Sequence, residues 1–487
     1  MEVIKPKTIK ENLLLNIVRL LLNVLFPIVI FQHVSRILGP VILGQVEYAN
    51  AIAYYFIFFS SLGIPAYGFR EIARHRNDPQ KRTKTIFELS IIMLIATGIN
   101  YAVYFFLIYF VSGLRAHYLL YLIIAPNILL TTFNYEWFFS GIEEQRYITV
   151  RHCIVRALQL ILVFVCIKES TDYIKYVGIT IGLNSIASIF NVLYMRKFLI
   201  KVKKSDLEIK RHLRLVFIIF IGSLSSAILG QLDITMLGNI SGIPFVGFYF
   251  AANKVKNAVF SLFGAVINVT IPRAEYYKIN NEIKYKNIVK FVINSVLIFI
   301  IPISIGVFIY AEDIIYFLSG KEFQLSILAL RLLSFSLFID IISSILLSLF
   351  LFPNRNEKEF SISLIAAGSC KVILNLILLP SYAHIGVSIS TIISGVICVV
   401  LQAYFARKYF KFSFLFNNET IKYFIAGIVM ACVLAALPIK FESNSLNILA
   451  GLFAGMFAYS LVLFLIKSEL FYIFIKKIKS LKLFAGK

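Results

Sequence analysis

Apolar runs of about 20 residues, separated by short loops, follow one another along nearly the whole of this chain. At a rise of about 1.5 Å per residue, roughly 20 helical residues cross a hydrocarbon core of about 30 Å. Inside lipid every backbone N–H and C=O has to be paired within the spanning structure, so these runs must be helices. A transmembrane barrel would show short strands of alternating polarity, which the runs lack. The spans fall near residues 13–32, 44–64, 86–111, 118–139, 153–167, 176–194, 213–232, 245–269, 288–309, 327–352, 361–379, 385–405, 421–437 and 446–466. The fifth is short as drawn and gains length if it begins near Tyr147. The expected fold class is therefore an all-α polytopic membrane protein of about fourteen transmembrane helices.

Only 15% of the 487 residues are charged, against roughly a quarter in soluble domains, so these runs do not read as cores of soluble folds. The first run follows Lys5, Lys7 and Lys10 and extends from Leu13 to about Gln32 with no small-x-small cleavage site. It is expected to be an uncleaved helix rather than a signal peptide. The five cysteines, Cys153, Cys166, Cys370, Cys398 and Cys432, lie in apolar runs without CxxC spacing or a His at metal-ligand spacing. They read as packing residues, with no metal or disulfide framework.

A formal charge of +23 would suit nucleic acid, but its distribution points elsewhere. Lys and Arg crowd alternate loops: the N-terminus, Arg70 to Lys84, Arg146 with Arg151, Arg196 to Arg214, Arg273 to Lys290, Arg355 with Lys358, Arg407 to Lys422, and the tail from Lys467. The intervening loops hold Arg36, Arg115, Lys168, Lys175, Lys321 and Lys440. That roughly sixfold bias is a positive-inside pattern; it puts both termini in the cytoplasm and requires an even number of spans. The basic loops then face anionic membrane lipids, not nucleic acid. No loop is long enough for a folded domain, and no metal motif, phosphate-cradling loop or nucleophile elbow is present, so neither an enzyme nor a cofactor is expected.

Sliding the sequence by 203 positions pairs Ile37 with Ile240, Gly39 with Gly242, Gly44 with Gly247, Ala49 with Ala252, Asn50 with Asn253, Ile64 with Ile267 and Arg70 with Arg273. Identity in that window is about one in five, but the matches fall at the same turn of each half. The expected organisation is an N-lobe over 1–195, a cytoplasmic loop over 196–212, a C-lobe over 213–406, and two further helices with a basic tail over 407–487. Two even-numbered copies share one topology, related by an axis along the membrane normal.

A charge at mid-bilayer costs at least about 2.5 kcal/mol, so each asks for a reason. Asn12, Asn16, Arg19 and Asn23 share one face of the first helix. Ser223, Ser226, Gly230 and Asp233 form a stripe on the seventh; Lys254, Asn257, Ser261, Gly264 and Asn268 form one on the eighth. His152, Arg156 and Gln159 lie on the fifth, and Gly368, Lys371 and Asn375 on the eleventh. Glu47, Glu136, Arg331 and Asp340 stand singly. For the Ser, Gly and Asn members, helix packing is the ordinary explanation, as it is for Gly451 and Gly455. Arg156, Lys256 and Lys371 have stems long enough to snorkel. Asp233 and Asp340 either pair with a cation or titrate as a coupling site, and Glu47 sits near the outer surface. Convergent stripes would make a hydrated cationic cleft suited to phosphate oxygens.

The stretch ILGPVILGQVEYANAI at residues 37–52, followed by LGIPAYGFREIARHRND, resembles the N-terminal signature of bacterial polysaccharide flippases, members of the multidrug/oligosaccharidyl-lipid/polysaccharide (MOP) exporter superfamily. LDITMLGNISGIPFVGFYFAANKV and INVTIPRAEYY look like the counterpart segments of the second half. The resemblance implies two six-helix lobes about a central cavity, alternating access, and an undecaprenyl-pyrophosphate-linked oligosaccharide, an O-antigen or capsule repeat unit, moved from the cytoplasmic to the periplasmic leaflet of the bacterial inner membrane. It favours Arg19, Asn23, Lys254 and Asn257 as cavity residues, with Arg331 as a further contact, and Asp233, Asp340 or Glu47 as coupling or ion-pair residues. Arg156 and Lys371 are secondary candidates, while Arg70 and Arg273 match structural turn motifs. Implied partners are the lipid-linked oligosaccharide and a polysaccharide polymerase with its chain-length machinery. The first helix lacks both the arginine cluster of lipid II flippases and a central acidic residue. Asp233 keeps a cation-coupled, MATE-like multidrug exporter as the alternative.

Overall fold

Backbone pairing dictates the architecture, and strands are absent among the described residues. A computed structural model describes residues 9–409, 414–415, 417–436, 441, 443–473 and 476, leaving aside the side chains of 9–21, 23, 204, 225, 226, 265, 268 and 357. The helices in chain order are α1 (Ile9–Ser61), α2 (Ile64–Arg74), α3 (Pro79–Phe110), α4 (Ser112–Arg115), α5 (Tyr118–Ile124), α6 (Pro126–Phe133), α7 (Glu136–Gly141), α8 (Gln145–Cys166) and α9 (Tyr173–Met195). They continue with α10 (Lys210–Ile240), α11 (Ile243–Asn280), α12 (Glu282–Ile309), α13 (Ala311–Ser319), α14 (Ser326–Ile345), α15 (Glu357–Ala406), α16 (Asn418–Ala436) and α17 (Asn444–Leu465).

Among the described residues ten helices are long and apolar enough to cross a membrane, or twelve if each of two bent pairs counts as one span. Two of the ten are too long for one crossing. Residues 24–74 and 358–406 would each measure roughly 75 Å if straight, more than twice the hydrocarbon core. Each contains a break. In α1, Gly39 has φ 69° and is followed by Pro40. In α15, Ala383 has φ 43°, and beyond it Ser390 donates a hydrogen bond to Asn375. Fifteen residues of straight helix would separate those side chains by about 22 Å, so α15 is a hairpin of two crossings. A crossing on either side of both breaks is consistent with fourteen spans. The protein is an all-α, multi-pass membrane protein.

Three boundaries depart from the sequence reading. The fourth span, Tyr118–Gly141, is not regular throughout: it runs as α5, α6 and α7, and the backbone leaves helical geometry at Asn134. The fifth begins at Gln145, so Arg151, read as a loop cation, lies within α8 and is buried. The loop over 196–212 is likewise anchored: His212, in α10, is fully buried with Glu88.

The chain forms two compact units, Met1–Gly247 and Phe248–Lys487, the boundary falling inside α11. Unit 1 packs Trp137, Phe138 and Phe139 against Ile64, Ile72, Ile86 and Leu89, and a second cluster around Tyr104 and Tyr121. Unit 2 is built around α12, whose Ile293, Leu297 and Ile301 pack with Leu337 and Ile341 of α14 and with Tyr423 and Met430 of α16. Gly451 takes the Tyr310 ring where a Cβ would sit 2.1 Å from it, so this glycine packs helices.

Within unit 1 two glycines that the shift of 203 pairs stand at a close backbone approach. A Cβ on Gly44 would lie 2.3 Å from the Ile243 carbonyl oxygen, and one on Gly247 would lie 1.9 Å from that of Pro40. The shift of 203 that equates Gly44 with Gly247 also equates Pro40 with Ile243. Such reciprocity, residue i on j and the equivalent of j on the equivalent of i, is what a local two-fold axis produces. Gly247→Ala is expected to push two backbones apart and lower stability by about 1–3 kcal/mol. Gly98→Ala, where a Cβ meets nothing within 4 Å, should be neutral or stabilising. Thermal unfolding of the purified variants in detergent distinguishes the two; equal midpoints would refute the backbone contact.

Candidate functional site

Three helical segments of unit 1 each carry a polar stripe, and the stripes face one cavity of about 410 Å³. On α6 and its C-terminal cap the positions are Asn127, Leu130, Thr131 and Asn134; on α9 they are Asn184, Ala187, Ser188 and Asn191. Both sets are spaced 3, 1 and 3, which puts four side chains on one helical face. On α8 the lining is Arg151, His152, Val155 and Arg156. Glu136, first residue of α7, and Ile57 of α1 complete the wall. The interruption of the fourth span is what admits Asn134 and Glu136: irregular backbone at membrane depth survives only where protein covers it or a wet cavity borders it.

The network is built on Glu136. Its Oε1 accepts from an Nη atom of Arg151, and His152 Nε2 lies 3.1 Å from the same oxygen. The other Nη of Arg151 donates to Asn191 Oδ1, which also accepts from the Tyr147 hydroxyl at 3.1 Å. Asn191 Nδ2 donates to Asn134 Oδ1 at 3.4 Å. A carboxylate alone in lipid would be prohibitive; here it holds two cation-capable partners, and the pair's remaining donors find amides.

Arg156, five residues further along α8, is differently placed. It donates to Gln159 Oε1 at 2.7 Å, and Gln159 in turn donates to Thr180 at 3.1 Å. Its Nε is buried with no hydrogen-bond partner, and no ion pair to it exists among the described residues. The guanidinium is thus directed into a cavity rather than to an interface.

In unit 2, Lys254 is half-buried with its ammonium 5.4 Å from the centroid of the Phe250 ring, and Asn257 is exposed. Lys256 does not snorkel: its Nζ is 2.6 Å from Asp340 Oδ2, an ion pair that ties α11 to α14. Asp340 is thereby a paired carboxylate in this structure. Arg331, on α14, and Lys371, on α15, are half-buried. In unit 1, Asp233 is buried on α10, two residues from Thr235, whose hydroxyl is 3.0 Å from that of Tyr55. Glu47 is half-buried on α1. The side chains of Arg19 and Asn23 lie outside the described residues. Among those described, no three His, Cys, Asp or Glu side chains are grouped to hold a metal ion. Sequence spacing marks His152, Arg156 and Gln159, and Glu136 stands singly in the sequence; the asparagine stripes of α6 and α9 carry the same periodic signal without being singled out there.

Residues 9–278 match the family model described as polysaccharide biosynthesis protein, and residues 153–457 match that described as lipid II flippase MurJ. The chain belongs to the polysaccharide biosynthesis protein family. A relative from Escherichia coli (strain K12), named for O-antigen transport, is 22% identical over 348 residues, 71% of this chain and 84% of that protein. The fold is also that of solved transporters. A lipid II flippase MurJ in an inward closed conformation superposes with a TM-score of 0.70 at 19% identity, over 92% of this chain and 98% of that one. An outward-facing multidrug resistance MATE transporter of the MOP superfamily gives 0.57 at 13% identity, over 80% and 92%. This member of the polysaccharide biosynthesis family is a flippase-type membrane transporter in the MOP superfamily.

Removing Glu136 from this ion pair strands Arg151, which is buried. Glu136→Ala should therefore cost up to about 3 kcal/mol, and the Glu136→Ala/Arg151→Met double variant less than the single one. Chemical unfolding of the three proteins reads the cycle; additive losses would mean the pair is solvated and structurally idle.

Proposed function

We propose that this protein flips an undecaprenyl-pyrophosphate-linked oligosaccharide, an O-antigen or capsule repeat unit, across the bacterial inner membrane from the cytoplasmic to the periplasmic leaflet. The observation that carries the reading is the cavity of unit 1. Four asparagines, a serine and a threonine in the midst of membrane-spanning helices suit a polyhydroxylated cargo, and the guanidinium of Arg156 suits an acidic one. On the resemblance stated above, we assign the pyrophosphate to Arg19, Asn23, Lys254, Asn257 and Arg331. The head group is exposed alternately to either side of the membrane, both termini stay in the cytoplasm, and Asp233 or Glu47 is the residue we assign to coupling, Asp340 being paired with Lys256. Each charge moved across the membrane potential contributes about 2.3 kcal/mol per 100 mV, enough to bias the direction. A polymerase with its chain-length machinery takes up the product in the periplasm.

The test is deletion of the gene in its native host, with undecaprenyl-pyrophosphate-linked glycan quantified by leaflet. The expected result is accumulation on the cytoplasmic side, reversed by the wild-type gene and not by Arg19→Ala or Lys254→Ala. Rescue by both variants would discard those two assignments and keep the function. An unchanged distribution, in a host without a second flippase, would transfer the reading to a cation-coupled exporter.

A further inference from the structure

Two guanidinium groups line the unit 1 cavity, five positions apart on α8, and the protein treats them oppositely. Both Nη atoms of Arg151 are engaged, by Glu136 and Asn191. Arg156 has Gln159 as its hydrogen-bond partner, a buried Nε that no protein group reaches, and no ion pair among the described residues. Two carboxamides of the same lining, Asn127 on α6 and Asn184 on α9, make no side-chain hydrogen bond to a described residue. Glu136, the one carboxylate of the wall, is already claimed by Arg151 and His152. The cavity therefore has a positive charge left over, and it is localised at Arg156.

We propose that Arg156, Asn127 and Asn184 form a subsite that reads an oxyanion of the transported lipid-linked glycan. A planar guanidinium fork pairs with two oxygens of a carboxylate or phosphate at once, and it stays charged even when desolvated. A carboxamide offers both donors and an acceptor, the set that neighbouring ring hydroxyls require. The cavity's 410 Å³ falls within the usual range for small-molecule sites, about 300–1,000 Å³. Arg151 and Glu136, by contrast, are engaged with each other, with His152 and with Asn191, and hold the wall in place. The proposal rests on the flippase reading, since a lipid-linked glycan is the cargo that would bring such a group into the bilayer. The oxyanion is either the carboxylate of a sugar acid or a phosphate of the head group.

Trp137, the chain's only tryptophan and next to Glu136, gives an optical probe. The full-length protein in detergent is titrated with glucuronate, glucose and inorganic phosphate while its fluorescence, or the saturation-transfer signal of the sugar, is followed. Wild type is expected to bind glucuronate about tenfold or more tightly than glucose, as a charge-assisted pair does. Arg156→Gln should abolish the preference, Arg156→Lys should restore part of it, and Asn184→Ala should weaken glucuronate and glucose alike. Phosphate that binds in wild type, is lost in Arg156→Gln and is accompanied by no glucuronate preference assigns the site to the head group. Glucuronate that binds and is indifferent to phosphate assigns it to a sugar acid. Equal binding of glucuronate and glucose with no phosphate binding overturns the proposal, and so does a preference that survives in an Arg156→Gln protein of unaltered unfolding midpoint. The leaflet assay separates the two readings: an Arg156-dependent preference with an unchanged glycan distribution keeps the oxyanion subsite and removes the flippase.

Discussion

No backbone amide or carbonyl can be left unpaired in hydrocarbon, and the placement of everything else in this chain follows from that. Regular helix satisfies the rule without help, so the chain spends nearly all its length as helix. The instructive places are where the helix stops. Gly39 with Pro40, Ala383, and the Asn134–Tyr135 junction interrupt spans that could have continued. At Gly39 a left-handed φ is natural for a residue with no Cβ. At Ala383 it is not, and the hairpin is secured by His384 Nε2, 2.9 Å from the Leu325 carbonyl oxygen, and by the Ser390–Asn375 bond. At Asn134 the break borders the polar cavity. The third case is the one with chemical consequences, because it turns a structural liability into a wall of hydrogen-bonding groups.

The same accounting governs charge. Glu136 has Arg151 and His152; Asp340 has Lys256 at 2.6 Å. Glu88, wholly buried in α3, accepts from Arg211 at 2.9 Å and from the Glu208 backbone N–H, with His212 Nε2 at 2.7 Å. His212 Nδ1 is in turn 2.7 Å from the Tyr67 hydroxyl. That cluster fastens the start of α10 to α2 and α3 within unit 1, so the segment between the ninth and tenth helices is tethered at its far end. A buried carboxylate with this many partners fixes geometry more than it adds stability, since desolvation offsets most of the attraction.

Hydrophobic length was legible from the sequence because it is a local property: a run of 20 apolar residues has one physical solution. The close approach at Gly44 and Gly247 was legible in part, since backbones that near tolerate no Cβ and the shift of 203 had paired the two glycines. The pairing of charges was not, because partners such as Lys256 and Asp340 are 84 positions apart and no spacing rule connects α11 to α14. Arg151 illustrates the failure most clearly. Its neighbours in sequence, Arg146 among them, made it look like one more loop cation, and only the position of Glu136 across the break makes it a buried one. The asparagine stripes were missed for a different reason: their period was visible, but asparagine in a membrane helix is as often packing as ligand, and only convergence on one cavity decides between the two.

The likeness to both a lipid II flippase and a multidrug transporter shows how little the backbone says about cargo. Helices that superpose so broadly at such low identity can be relined without being moved. Specificity then resides in the side chains of a few inward stripes, where substitution at one position changes a hydrogen-bond partner and leaves every backbone bond intact. In this chain those stripes divide into two classes. Residues such as Glu136, Arg151 and Asn191 are mutually consumed, so their role is to hold α7, α8 and α9 at a fixed separation. Residues such as Arg156, Asn127 and Asn184 have valences left over, and only valences left over can distinguish one substrate from another. The first class must be in place before the second has any geometry to offer.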